Sequence, residues 1–373
     1  MNRRELLSSM AASGLALTMG GAARGETSMR YTAMALQTVC DAVNQDTDRT
    51  SARARMNAAI SRVRGQIASG KGFLKGFNGY DVRLVVLPEY WMTGFPLRES
   101  REEWQDKAAI RPDGEFTTRL SDMAQSLGIY LCSNHYETDD NFPDLYFQAN
   151  VIFAPNGDQV LRYRRMISLY TPAPYDVWDM FLDKYGADAV FPVAETDIGT
   201  LGTIASEEIL YPEIARMVAF KGAEILLHPT SEVAAPGLTP KHISKKARAI
   251  ENIAYVVSAN SAMITGTPVP TASTDGMSIV IDSYGRTLAE ASQGETLNAN
   301  AVLDIGALRQ TRKNTGMTNT LSRLPTAAFA GGYQSANHAP PNRMPDGQMI
   351  ERQQAIAYQQ AVIDRLARDG ILK

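Results

Sequence analysis

Three segments of the sequence each place a polar side chain with chemical potential where a predicted strand ends. Glu89 follows the apolar run Val85–Leu87, Arg165 ends a basic segment after a predicted hairpin, and Ser206 ends another apolar run. A carboxylate can transfer protons, a guanidinium can hold negative charge, and a hydroxyl can attack an electrophilic carbon. Together the three types suit hydrolysis through a covalent intermediate.

The segment around Ser206 predicts a sharp turn from a strand into a helix. Two carboxylates, Glu207 and Glu208, follow the serine, and Tyr211-Pro212-Glu213 then opens a helix. Such an elbow fixes the backbone on both sides and presents N–H groups that can stabilise an oxyanion. The same pattern also fits a serine that only caps a helix.

Glu89 and Arg165 have structural interpretations as well. A carboxylate after proline often caps a helix or closes a turn, and an arginine run often forms a solvated face. Glu208 could serve as a hydrogen-bonding support or take part in chemistry. His228, which follows a predicted strand, could line the site or be a satisfied core histidine.

A loop rich in aromatic residues supplies further candidates for the pocket wall. It spans residues 170–185 and includes Tyr175, Asp176 and Trp178, while Tyr90 could contribute from the opposite side. Asp176 could enter the pocket, or it could end a turn or cap a helix. The aromatic residues could equally pack at a dimer interface.

Strands and helices alternate along the chain from Tyr31 onward and predict a layered α/β fold. The segment Leu324–Gln348, rich in Pro, Gly, Asn and Ala, is predicted to be an extended arm, and Ile350–Ala367 a terminal helix.

The two cysteines, Cys40 and Cys132, are too few for a disulfide framework. Either two buried free thiols or a single disulfide bridge is possible.

The N-terminus and the composition limit location and partners. Paired arginines before a mild apolar stretch and small residues predict a twin-arginine-type signal peptide in residues 1–25, with periplasmic or other export; a helical or disordered arm is the alternative. The net charge of −3 without a basic block argues against nucleic acid. No mature apolar run suggests a membrane span, and neither a metal site nor a cofactor motif is predicted.

Taken together, the segments resemble the nitrilase, or carbon–nitrogen hydrolase, superfamily. Leu87-Pro88-Glu89 is similar to its general-base motif, Tyr163-Arg164-Arg165 to its cation motif, and Ser206 through Glu213 to its nucleophile motif. Arg248–Asn252 and Asp282–Arg286 resemble later family segments. The resemblance implies a four-layer αββα sandwich over residues 26–310. Residues 311–373 would then form a C-terminal extension on the core or a partner subunit, and the protein a homodimer or higher homo-oligomer.

Two departures from the family pattern coincide. The resemblance implies a nucleophilic cysteine and a lysine where this chain has Ser206 and Arg165, and only Glu89 is as expected. A thiol ionises near ~8.5, whereas a serine hydroxyl must lose its proton during attack. Arginine cannot release a proton at neutral pH, but its planar fork can hold a carboxylate and an oxyanion.

The sequence therefore predicts an exported hydrolase acting on a non-peptide carbon–nitrogen bond of a small amide, carbamoyl or nitrile-type molecule. Ser206 would attack or position the substrate, Glu89 would be the general base, and Arg165 the orienting cation. Two alternatives remain: a non-catalytic binding protein with the same pocket, and a hydration, elimination or C–O cleaving reaction there.

Overall fold

The computed structural model describes residues 29–235, 237–274, 276–336 and 338–373. The predicted signal peptide, residues 1–25, lies outside the described residues. In chain order the strands are β1 (Arg30–Ala35), β2 (Val39–Asp41), β3 (Val82–Val86), β4 (Tyr130–Thr138), β5 (Tyr146–Phe153), β6 (Gln159–Arg164), β7 (Ala194–Thr196), β8 (Gly199–Thr203), β9 (Ile225–Thr230), β10 (Tyr255–Asn260), β11 (Met263–Thr265), β12 (Ile279–Ile281), β13 (Thr287–Glu290) and β14 (Asn300–Asp304). The helices are α1 (Arg49–Asn78), α2 (Arg101–Ala108), α3 (Glu115–Leu127), α4 (Trp178–Tyr185), α5 (Pro212–Phe220), α6 (Pro240–Asn252), α7 (Ile305–Lys313), α8 (Thr326–Ser335) and α9 (Arg352–Arg368).

Two large sheets form the centre of the described part of the chain. One has the strand order β14-β1-β3-β4-β5-β6 and the other β13-β12-β10-β9-β8-β7. The neighbours β1, β3 and β4 are parallel, as are β8, β9 and β10, while the outer strands pair antiparallel. Because parallel strands end at the same edge, residues that follow β3, β8 and β9 can meet there.

The two faces of the first sheet belong to two different cores. On β3, Leu84 and Val86 join the core between the sheets, whereas the intervening Val85 packs with α1 and α3. This follows from the period of two along a strand. The second sheet carries α5 and α6 on its outer face, through residues such as Val218 and Ala249. The layers are helix, sheet, sheet, helix, and the predicted αββα sandwich is confirmed.

Both cysteines are buried free thiols, which is one of the two arrangements that the sequence allows. Burial raises the pKa of the Cys40 thiol and of the Cys132 thiol to about 12. Neither is therefore suited to act as a thiolate nucleophile in this fold. None of the described helices combines the length and apolarity that a membrane crossing requires.

The C-terminal segment differs from its sequence prediction. Helix α8 lies inside the stretch predicted to be an extended arm, so that prediction is wrong for Thr326–Ser335. Glycines lower helix propensity there, but tertiary contacts override it, including a hydrogen bond from Tyr333 to Glu213 of α5. Further along, Met344 is buried in a core cluster with α4, so this part of the extension packs on its own chain.

A close approach of α5 to β8 gives a stability prediction. A Cβ at Gly202 would lie 2.8 Å from Ala223 Cβ and 3.1 Å from Val218 Cβ, so Gly202→Ala is expected to destabilise the fold by about 1–3 kcal/mol. A Cβ at Gly72 in α1 would meet nothing within 4 Å, so Gly72→Ala is expected to stabilise by up to ~1 kcal/mol. Urea unfolding measures both. Equal urea midpoints of unfolding for Gly202→Ala and Gly72→Ala would contradict the close packing at Gly202.

Candidate active site

A pocket of about 290 Å³ opens at the carboxyl ends of the central strands. Glu89 reaches it after β3, Arg165 after β6 and Ser206 after β8, so the structure brings the three principal sequence candidates together. Its walls combine polar and apolar side chains. The remaining lining residues are Tyr90, Phe95, Glu207, Ser231, Val233, Lys241, Ile264, Thr267, Val269, Pro270, Ser273 and Thr274.

Ser206 occupies a strained position at the start of the turn Ser206–Leu210. Its φ of +49° lies in the left-handed region, which costs a non-glycine residue roughly 1–3 kcal/mol. The residue is only 3% exposed, yet its Oγ borders the pocket and accepts a hydrogen bond from Lys241 Nζ at 3.1 Å. The predicted elbow is thus a single turn between β8 and α5, with its hydroxyl turned toward the cavity.

His228 holds the backbone of this turn from behind. Its Nε2 lies 2.8 Å from the Ser206 carbonyl oxygen, and its Nδ1 lies 2.8 Å from Ser258 Oγ. A carbonyl can only accept, so Nε2 carries the proton and Nδ1 accepts from the serine hydroxyl. Burial lowers the pKa of His228 to about 3, which keeps the ring neutral. His228 does not line the pocket, and it supports Ser206 instead.

Glu89 is buried and has hydrogen-bond donors on both carboxylate oxygens. Oε1 accepts from Gln148 Nε2 at 2.8 Å and from Arg165 Nη1 at 3.3 Å, and Oε2 accepts from the Ser231 N–H at 3.1 Å. These donors fix the position of the carboxylate. In the part of the chain that the structure describes, Glu89 makes no hydrogen bond with Ser206.

Arg165 is also engaged along the whole of its guanidinium group. Its Nε donates to the Ile167 carbonyl at 2.7 Å, and Nη1 donates to Gln148 Oε1 at 2.8 Å as well as to Glu89. Its Nη2 donates to Glu207, so the cation bridges two carboxylates. Its fork geometry therefore fixes Glu89 in place and leaves few donors for a substrate.

The charge of Arg165 is maintained despite its burial. Burial works to lower the pKa of the guanidinium, but Tyr90 and the surrounding carboxylates raise that pKa above its ordinary value. Arg165 is thus a permanent cation, with no proton to exchange at neutral pH.

Glu208 supports the loops that carry the site. One oxygen accepts from the N–H groups of Met166 and Ile167 at 2.7 and 3.0 Å, and the other accepts from Ala205 N–H at 3.1 Å. Tyr163 donates its hydroxyl to the same carboxylate at 2.8 Å. Glu208 thereby ties the segment after β6 to the turn after β8 and lies outside the pocket lining.

The sequence pattern does not single out Lys241 as a site residue. Thr239 caps the N-terminus of α6 by accepting from His242 N–H at 3.0 Å, and Pro240 is the first helical residue. Apolar spacing alone predicts this helix only from Ser244 and leaves Lys241 in an unassigned loop. Threonine followed by proline is a helix-start signal that could have placed Lys241 in the first turn.

The loop containing Asp176, Tyr175 and Trp178 lies outside the pocket lining, and of the two roles that the sequence left open for Asp176 the structure shows the turn, in which its carboxylate accepts from the Ala173 N–H. Asp176 accepts two hydrogen bonds from Arg343, both at 2.9 Å, and the Tyr175 hydroxyl donates to the Ala339 carbonyl at 2.9 Å. Trp178 packs beside Tyr175 and contacts the core cluster that contains α4. The loop is therefore held by the C-terminal segment. Tyr90 does line the pocket.

Within the described residues, no group of three or more His, Cys, Asp or Glu side chains is arranged to hold a metal ion. The polar groups that border the pocket are carboxylates, hydroxyls and two cations. Such a set can orient a polar substrate, attack it and move protons.

Comparisons with known proteins bear on the family and the fold. The sequence model of the family described as "Carbon-nitrogen hydrolase" matches residues 42–313. A nitrilase from Pyrococcus abyssi is 30% identical over 208 residues, which cover 55% of this chain and 72% of that protein. An omega-amidase from Xenopus tropicalis is 24% identical over 62% of this chain and 80% of its own length. The crystal structure of a carbon-nitrogen hydrolase from Helicobacter pylori superimposes with a TM-score of 0.60 at 21% identity, covering 81% of this chain and 98% of that one.

The left-handed backbone of Ser206 gives a stability prediction. Ser206→Gly relieves a strain that Ser206→Ala retains, so the glycine variant is expected to be the more stable of the two by about 1 kcal/mol. At the neighbouring Ala205, with φ of −96°, the replacement Ala205→Gly is expected to destabilise instead. Chemical denaturation of the three variants tests this. A glycine variant at position 206 that is less stable than the alanine variant would contradict the strain.

Glu208 gives a pH-dependent prediction. Burial raises the pKa of this carboxyl to about 7, although Arg165 works to lower it. Between an ordinary pKa of about 4.3 and that value, the folded protein keeps a proton that the unfolded chain has released. The free energy of unfolding should therefore fall by about 3 kcal/mol from this group as the pH rises through the interval.

Glu208→Gln cannot titrate, so this part of the pH dependence should disappear even if the variant is less stable at every pH. Unfolding free energies of wild type and variant at several pH values measure the difference. The exposed Glu195→Gln is the matched control, and it should leave the pH dependence of the unfolding free energy unchanged. If the unfolding free energy of Glu208→Gln changes with pH as steeply as that of wild type, the contribution of Glu208 is ruled out.

Proposed function

Because this chain belongs to the carbon-nitrogen hydrolase family, we propose that it hydrolyses a non-peptide carbon–nitrogen bond of a small molecule, with Ser206 as the nucleophile. The observation that carries the proposal is the placement of the Ser206 hydroxyl. It borders a pocket shared with Glu89 and Arg165, on a strained turn whose backbone is anchored from behind. Amides are the first class to test, because relatives include an omega-amidase and a nitrilase.

The proposed reaction proceeds through an ester. Ser206 Oγ forms a bond to the carbonyl carbon and loses its proton to a base, and the C–N bond then breaks as the nitrogen takes up a proton and leaves as an amine or ammonia. Water then attacks the ester, regenerating the hydroxyl and releasing the acid. The Arg165-bound carboxylate of Glu89 accepts a proton from this water as it attacks and gives the proton up again as the Oγ–C bond breaks and Oγ is reprotonated, so Glu89 acts as a base and ends the cycle unchanged.

The pocket walls support a small substrate with a polar head and an apolar remainder. Ser206, Glu89, Arg165 and Lys241 supply polar groups, and Phe95, Ile264 and Val269 supply apolar surface to the same cavity. A volume of about 290 Å³ fits a molecule well below the size of a peptide. The amide would face Ser206, and the apolar part would contact these side chains.

A non-catalytic binding protein is the second candidate, and one observation favours it. Glu89 and Glu207 balance the charge of Arg165, and within the described residues Glu89 does not contact the Ser206 hydroxyl. Such an arrangement could bind a polar ligand without attacking it. The two proposals differ in whether a covalent bond to Ser206 forms.

Two further parts of the sequence prediction belong to this proposal. The protein would be exported to the periplasm through the twin-arginine-type signal in residues 1–25, and it would act as a homodimer or larger homo-oligomer. The exposed apolar side chains of Tyr211 and Phe220, at the two ends of α5, support the proposed oligomer.

A covalent adduct tests the proposed function. Protein lacking residues 1–25 is incubated with a panel of amides, nitriles, carbamoyl compounds and esters, and intact-protein mass spectrometry is used to detect an acyl group. We expect an adduct and product release in wild type, and neither in Ser206→Ala. Ser206→Cys, which installs the thiol of the family pattern, is the matched control for pocket integrity.

Binding without turnover by both wild type and Ser206→Ala would favour the non-catalytic candidate. Turnover that survives Ser206→Ala would instead assign the chemistry to Glu89 and an activated water. Products that require no C–N cleavage would point to the hydration, elimination or C–O cleaving alternative.

A further inference from the structure

The only side chain among the described residues that hydrogen-bonds to the Ser206 hydroxyl is Lys241. Its Nζ lies 3.1 Å from Oγ, and both residues border the same pocket. A hydroxyl nucleophile needs a group within this distance to take its proton as it attacks. Glu89, the base predicted from the sequence, makes its hydrogen bonds to other partners.

Arg165 cannot fill this role either. A guanidinium does not exchange a proton at neutral pH, and the Arg165 group already donates to the Ile167 carbonyl, to Gln148 and to two carboxylates. Arg165, at the position of the cation motif, therefore holds the site together. It leaves proton transfer at Oγ to another residue.

Lys241 has the freedom that Arg165 lacks. It makes no ion pair within the described residues, whereas the nearby Lys245 is buried and paired with Glu232. Its backbone is fixed by the capped first turn of α6, and a lysine amine can both accept and donate a proton. Among the described residues, the charged or titratable groups that line the pocket with it are Glu89, Tyr90, Arg165 and Glu207. His228 and Lys245 interact with it electrostatically, and Glu232, His242 and Glu290 lie near Lys245.

We propose that Lys241 is a catalytic residue that accepts the proton of Ser206 Oγ during attack. The inference rests on the proposed function, because it assigns the base in that same reaction. The neutral amine of Lys241 takes the hydroxyl proton as the Oγ–C bond forms, and the resulting ammonium gives this proton to the leaving nitrogen as the C–N bond breaks. Lys241 is then neutral again, so the step is balanced without any further reactant.

The test measures the reactivity of Ser206 with two probes in the full chain. An alkyl fluorophosphonate labels an activated serine, and p-nitrophenyl acetate reports acylation through the release of p-nitrophenolate. We expect Lys241→Ala to slow both reactions by about 100-fold or more, which is the usual contribution of a general base. Lys246→Ala, on the same helix and outside the pocket lining, should react like wild type.

Lys241→Arg separates proton transfer from charge. It keeps a cation and a donor near Oγ but cannot take up a proton, so it should be as slow as Lys241→Ala. Added methylamine should restore part of the rate of Lys241→Ala in proportion to its unprotonated concentration. The rise of the wild-type rate with pH should be absent from the unrescued alanine variant. Circular dichroism and thermal unfolding confirm that each variant is folded.

The outcomes distinguish this inference from the proposed function. Labelling of Ser206 that proceeds at the wild-type rate in Lys241→Ala would overturn the role of Lys241 and leave Ser206 as the nucleophile. Full activity of Lys241→Arg would overturn proton transfer and assign Lys241 a purely electrostatic role. If wild type itself is not labelled or acylated at Ser206, the proposed function fails, and the inference fails with it.

Discussion

The site depends on one buried ion pair, between Glu89 after β3 and Arg165 after β6. Both side chains are almost inaccessible to solvent, and an unpaired charge in such a place would cost several kcal/mol. The pair is therefore stable only with its additional partners: Gln148 bonds to both members, and Ser231, at the end of β9, donates its N–H to Glu89. These contacts join the edges of two sheets, so the charges and the αββα packing stabilise each other.

This constraint explains what Arg165 does at the position where the sequence resemblance implies a lysine. A guanidinium is planar and carries five N–H donors, so it can bind Glu89, Gln148 and Glu207 at once, which a compact ammonium group would do less well. The same guanidinium does not exchange a proton at neutral pH, so position 165 has no group that can transfer one. The hydroxyl of Ser206 needs a proton acceptor more than a thiol would, and Lys241 approaches it from α6. Ser206, Arg165 and Lys241 thus form one consistent set.

The alternation of strands and helices predicts a layered α/β fold from local patterns, and the family resemblance adds the αββα arrangement and the three principal site residues. Glu89 and Ser206 each follow a buried strand, and the carboxyl ends of parallel strands meet by geometry. The position of Lys241 instead depends on how a loop returns from β9 to α6, 35 residues after Ser206. The sequence leaves Asp176 between the pocket and a turn for a similar reason: its partner Arg343 lies 167 residues further on, and no local pattern relates the two.

The backbone at Ser206 provides an independent argument that the turn is built for presentation of its side chain. A serine in the left-handed region is costly, and glycine would remove the cost. The strain persists because rigid neighbours hold the turn in place. Strand β8 leads into it, α5 follows it, and the neutral ring of His228 donates to the Ser206 carbonyl. A residue that only capped the helix would not require this conformation, since an N-cap has an extended backbone. The strained geometry instead directs Oγ toward Lys241 and the pocket, which is the arrangement that a nucleophile needs.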